Sequence, residues 1–175
     1  MRNRRPNGIL FMIIFFSMVN PLIVFTSGCK SRNPEILSGP YYGGLLSLNW
    51  GSRVSTMDSV LQSDTSMTLI SRIPNLKTKG QTIVVRHQRQ DYYLDYNSRH
   101  ELASFNYFSE NDSNHSLDSL MFHLAAHYGQ PELHVQPAYS RHTWKVPHNG
   151  GELSLQLIKT GQRYSMTVVH HQFSE

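Results

Sequence analysis

The chain has 175 residues, 16% of them charged, with a formal net charge of +4 and a single cysteine. One domain is the default at this length, and a lone thiol excludes an intrachain disulfide or a cysteine-built zinc cage. Arg2, Arg4 and Arg5 precede the first acid, Glu35, so the balance beyond residue 28 is close to neutral, and what remains lacks the clustered basic side chains that mark a nucleic-acid surface.

The three arginines lead into Ile9–Phe16, and apolar character continues to Phe25, interrupted by Asn20 and Pro21. A positive, then apolar, then small-residue order predicts a secretory signal over 1–28. The 17 residues from Ile9 to Phe25 sit at the short limit for a spanning helix, and Pro21 weakens it; a retained single span is the alternative.

Thr26-Ser27-Gly28-Cys29 resembles the lipobox of bacterial lipoproteins, with Thr26 where that family usually has leucine. The resemblance implies that Cys29 is lipidated with palmitate-type chains, becomes the new N-terminus and anchors the protein to membrane lipid. Lys30 stands where an aspartate marks inner-membrane retention, which implies the outer membrane, facing the periplasm, in a Gram-negative source. Two or more acyl chains hold a protein stably where one binds marginally. Residues 29–40 read as a polar tether reaching at most about 40 Å.

Folding signals begin near Tyr41. Leu45 to Trp50 reads as a strand, and Thr56-Met57-Asp58-Ser59-Val60-Leu61 as a helix start with Thr56 as N-cap. Thr82–His87 is β-branched. Asp91–Tyr96 alternates, placing Tyr92, Leu94 and Tyr96 on one face and Asp91, Tyr93 and Asp95 on the other. Leu102–Phe108 follows, with Ala103, Phe105 and Tyr107 sharing a face. Residues 109–116 read as a polar loop. A helix over 117–128 is predicted from the stripe Leu117, Leu120, Met121, Leu124 and Tyr128, with Ser116 as N-cap and Gly129 as C′ residue. Strands are predicted at Thr143–Val146, Glu152–Ile158 and Tyr164–His170, the first two joined by an Asn149-Gly150 turn.

Residues 56–61 match residues 116–121 at an offset of 60. The expectation is an α+β fold: an antiparallel sheet with helices packed on one face, open to two tandem strand–helix–hairpin repeats, 41–108 and 102–175, sharing a strand within one compact domain.

Ser116, Gly129-Gln130-Pro131 and Trp144 resemble the small SmpA/OmlA-type outer-membrane assembly lipoproteins, whose pattern has a threonine-capped helix, Gly-x-Pro after it and a tryptophan strand. That resemblance implies a non-enzymatic helper or interaction module whose partners are other envelope proteins.

The chemistry-bearing residues give little against this. His123 and His127 are spaced i,i+4 and could chelate one metal, with His134 or Glu132 as third ligand. Leu-Ala-Ala between them lacks the glutamate base of the metalloprotease helix. A metal-binding protein or metal-dependent enzyme is thus the second expectation, and two solvent-facing histidines the plainer one. His170 and His171 point to opposite strand faces and read as a polar strand end. No Gly-x-Ser-x-Gly or phosphate-cradling loop occurs, so no catalytic residue and no cofactor is expected. Tyr92 and Tyr96 read as core, and Tyr93, between two aspartates, as an exposed contact.

Overall fold

The structure is a computed structural model describing residues 39–76, 78–110, 114–148 and 150–174. The segment expected to be a signal, 1–28, with Cys29 and the expected tether up to residue 38, lies outside them.

The strand expected from Leu45 to Trp50 is instead a tight hairpin, β1 (Gly44–Leu45) against β2 (Leu48–Asn49). Leu46 and Ser47 have φ of 52° and 64°, the backbone that a two-residue primed turn demands at both central positions. Burial explains why non-glycine residues accept it. Leu48 and Trp50 are core, and the Trp50 indole N–H donates to the Tyr41 carbonyl at 3.0 Å.

Helix α1 (Val54–Ser63) starts two residues before Thr56, which is therefore inside its first turn and not its cap. Arg53 occupies the cap position without a side-chain bond. Tertiary pairing fixes the start instead: Arg53 bridges Glu101, Val54 N–H donates to the His100 carbonyl at 3.2 Å, and Gly51 N–H to the Leu102 carbonyl at 3.0 Å. Asp58 forms an ion pair with Arg72.

Four strands follow: β3 (Met67–Asn75), β4 (Gly80–His87), β5 (Gln90–Tyr96) and β6 (Leu102–Glu110). Helix α2 (Asn114–Tyr128) is again followed by four, β7 (Glu132–Gln136), β8 (Tyr139–His148), β9 (Gly151–Thr160) and β10 (Arg163–His170). A 3₁₀ turn, His171–Phe173, comes next. Because β6 reaches Glu110 and α2 begins at Asn114, the expected 109–116 loop is much shorter, and Ser116 lies within the helix. Gly129, at φ 82°, ends α2 as expected; its carbonyl accepts the Trp144 indole N–H at 2.9 Å.

The eight strands form one antiparallel sheet in the order β3-β4-β5-β6-β10-β9-β8-β7. This is a sheet-rich α+β fold. The last strand of each set of four meets the other at the centre, through β6 and β10, and the first strand of each set forms an edge. Those edges, β3 and β7, are the two strands the sequence pattern does not announce. Most β3 residues and all five of β7 are exposed, so neither shows the hydrophobic alternation of a half-buried strand.

Register separates the sheet into an apolar and a polar face. Ile83, Leu94, Phe105, Val168, Leu155 and Trp144 are successive cross-strand partners, and every one is buried. Met57 of α1 and Leu117 and Leu124 of α2 belong to the same buried cluster.

Candidate interaction surface

The opposite face carries a different row. Tyr93, Asn106, Thr167, Gln156 and Thr143 are successive partners across five strands, all partly exposed. Pleating forces this division, because neighbours in sequence project to opposite sides. Amides and hydroxyls in such a row offer donors and acceptors in a plane, a surface for hydrogen bonding to another molecule.

The next row breaks the polar pattern. Phe108 is 63% exposed, and its ring meets Tyr93 edge-on, with centroids 5.9 Å apart at 83°. Beside it lies a shallow depression of about 400 Å³ lined by Phe108, Ile158, Thr160, Arg163 and Ser165 among others. The Gln90 side-chain amide donates to the Phe108 carbonyl at 2.8 Å, which fixes the main chain under the ring.

Two carboxylates on this face are held by neighbours. Arg86 grips Asp91 through two bonds, Nε to Oδ1 at 2.6 Å and Nη2 to Oδ2 at 2.9 Å, and this holds the Asp91 carboxyl below its usual range. The Asp95 carboxylate accepts from Thr82 Oγ1 at 2.6 Å and from Ser104 Oγ at 3.0 Å.

Each residue singled out in the sequence can now be placed. Tyr96 is fully buried, and Tyr92 packs at the core margin, 5.4 Å from the Tyr107 ring. Tyr93 is on the polar face, as alternation predicts. His123 and His127 are exposed on α2, and Glu132 and His134 are exposed on β7. Among the described residues, no group of three or more His, Cys, Asp or Glu stands close enough to hold a metal ion. Likewise, among them no helix is long and apolar enough to cross a membrane.

His170 corrects the polar-strand-end reading. It is fully buried, with Nε2 2.7 Å from His148 Nδ1, and Trp50 and Phe173 rings at 5.8 and 4.8 Å. Desolvation, with the adjacent His148 and His171 adding repulsion, drops its pKa to about 4. Its Nδ1 has no partner among the described residues, and a bare acceptor costs less to bury than a bare donor. The neutral Nε2–H tautomer donating to His148 therefore fits best. Around this pair the C-terminal turn docks, with the Asn97 amide donating to the Phe173 carbonyl at 3.0 Å. A second buried pair, Tyr41 and Tyr107, shares a hydroxyl bond of 3.0 Å, and burial pushes the Tyr41 phenol up to about 12. His170, Tyr41 and Tyr107 are neutral at physiological pH, and both pairs serve packing.

Phe108 is the residue that sequence reasoning missed. Parity with Phe105 and Tyr107 assigns it to the polar face, but its contact with Tyr93 depends on the β5–β6 register. No protein-family model, curated protein or solved structure matches this chain.

Proposed function

We propose that the chain is a lipid-anchored protein of the bacterial envelope, a non-enzymatic interaction or assembly module that receives another envelope protein on the polar face of its sheet. The observation that carries the reading is Phe108, exposed and braced by Tyr93, within a carpet of hydrogen-bonding side chains. An aromatic anchor ringed by polar groups is the composition of a protein-binding hot spot. The lipobox-like Thr26–Cys29 supports the anchor, with the outer membrane facing the periplasm as the site. The tether would leave the fold at Gly39 and Pro40, beside the end of α2, where Tyr128 Oη donates to the Pro40 carbonyl at 2.5 Å.

The finer architecture belongs to the same proposal. Both helices pack on the apolar face and leave the other open. Two tandem repeats underlie the fold: Val54 and Asn114, 60 residues apart, each open a helix, and each helix precedes four strands. This is in keeping with the SmpA/OmlA resemblance.

Two experiments test the two parts. Radiolabelled palmitate should enter the wild type but not Cys29→Ser, and equal labelling removes the anchor. A photocrosslinking side chain at Phe108 should capture a discrete envelope protein, with capture lost on adding Tyr93→Ala. Capture indifferent to Tyr93 removes the binding face.

A further inference from the structure

The two edges of the sheet differ in how they meet solvent. The β3 edge has a bulge between Leu69 and Ser71, Pro74 without an N–H, and Arg72 tied to Asp58 of α1. Bulges and proline are the devices that keep edges from pairing. The β7 edge has none of them. Its pairing with β8 is unbroken from Glu132↔Thr143 to Gln136↔Tyr139, it contains no Pro, Lys or Arg, and all five residues are exposed. Only Pro137 and Ala138 separate Gln136 from Tyr139, so these two close the hairpin as a bonded pair. Alternation then directs the N–H and C=O of Leu133 and Val135 away from β8, toward an edge that no strand among the described residues pairs with.

We propose that β7 pairs with β7 of a second copy of this chain, antiparallel about His134, joining two eight-stranded sheets across a two-fold axis. The sequence Glu-Leu-His-Val-Gln is self-complementary in this register. Leu133 meets Val135 of the partner subunit, so the outward main-chain groups of both exchange bonds. Their side chains, 56% and 68% exposed in the single chain, cover each other on the apolar face. On the polar face Gln136 offers its amide to the carboxylate of Glu132 of the partner subunit, and His134 faces its own copy. Any other register about a two-fold axis on the same face shortens the ladder. A contact of this size is weak between free molecules, and confinement of anchored copies to one membrane would raise its occupancy. The inference does not rest on the polar face binding a partner.

Cysteine substitution reads the register directly. His134 and its copy form a pair without main-chain bonds, with Cα atoms about 4.5 Å apart, inside disulfide range. Gln136 and its copy are offset by four positions, roughly 13 Å along the strand, which is out of reach. The full chain is oxidised mildly in membranes of producing cells and run without reductant. His134→Cys should give a dimer well above the wild-type background. Gln136→Cys should not, whereas Gln136→Cys combined with Glu132→Cys should. Val135→Pro, which removes an outward N–H, should cut the His134→Cys dimer at least tenfold, and Val135→Lys, at an exposed position, serves if the proline variant misfolds. A His134→Cys dimer no stronger than the wild-type band, or matched by Gln136→Cys alone, overturns the proposal. So does one unaffected by a folded Val135 variant.

Discussion

The two faces of the sheet are built from the same strands and differ at most steps, Val84 and Ser154 being buried on the polar side. Phe105 and Asn106 are consecutive; one is fully buried and the other partly exposed. A backbone of period two lets one set of residues hold the fold and leaves the alternate set for the proposed contact with another molecule, so the two can be altered separately. Substituting alternate residues is the direct way to break that division.

The largest effect belongs to the apolar face. Phe105→Ala empties a site packed by Tyr41 and Trp50, with ring centroids at 5.1 and 5.8 Å, and should cost about 3–5 kcal/mol. Asn106→Ala should stay within about 1 kcal/mol. Urea denaturation of both variants checks the contrast, and equal losses would mean the polar face is packed against something. Phe108→Ala should reverse the pattern. Stability should move by less than about 0.5 kcal/mol, while co-purification of the partner identified by crosslinking should fall at least tenfold, as truncating a hot-spot aromatic does.

Acid sharpens the comparison from inside the core. The folded pKa of His170, about 4, lies below the ordinary 6.5 of an unfolded histidine. Between these values the unfolded chain binds more protons, so stability is full above pH 6.5 and falls as the pH drops toward 4. The loss should be on the order of 2 kcal/mol, taken below the full linkage value because His148 links the site to solvent. His170→Gln should flatten the decline over that window in denaturation curves collected at several pH values. A slope unchanged by the substitution assigns the acid sensitivity elsewhere.

The legible parts of the fold were those where burial on one side wrote a period into the chain. Thr82–His87, Asp91–Tyr96, Leu102–Phe108 and the stripe on α2 all fall on elements found there, and the glycine at the end of α2 acts as expected. The edges escaped because a strand with one neighbour and exposed side chains has little hydrophobic pattern to write. Leu46 and Ser47 accept left-handed backbone for the sake of burying Leu48 and Trp50, a tertiary demand with no local signature. Of the candidate surface, parity showed the side on which Tyr93 lies. The Tyr93–Phe108 contact, and the meeting of His148 with His170 across 22 residues, needed strand register.

The smallest effect separates local from tertiary control of a helix start. Thr56 has the chemistry of a cap, as do Ser52 and Ser55 nearby. Yet α1 begins at Val54, because the segment before it is stitched to residues 100–102 by main-chain bonds. Arg53 is thereby left at the cap with a side chain that cannot accept a hydrogen bond. Thr56→Ala should then be neutral within about 0.5 kcal/mol, since a first-turn threonine has no capping bond to lose and alanine is the better helix former. Arg53→Ser should stabilise by about 0.5–1 kcal/mol, because the hydroxyl supplies the missing acceptor for an unpaired N–H of the first turn. Thermal denaturation of the two variants resolves the difference. A loss near 1 kcal/mol for Thr56→Ala, with no gain for Arg53→Ser, would put the cap back at Thr56 and make the pairing at residues 100–102 subordinate to it.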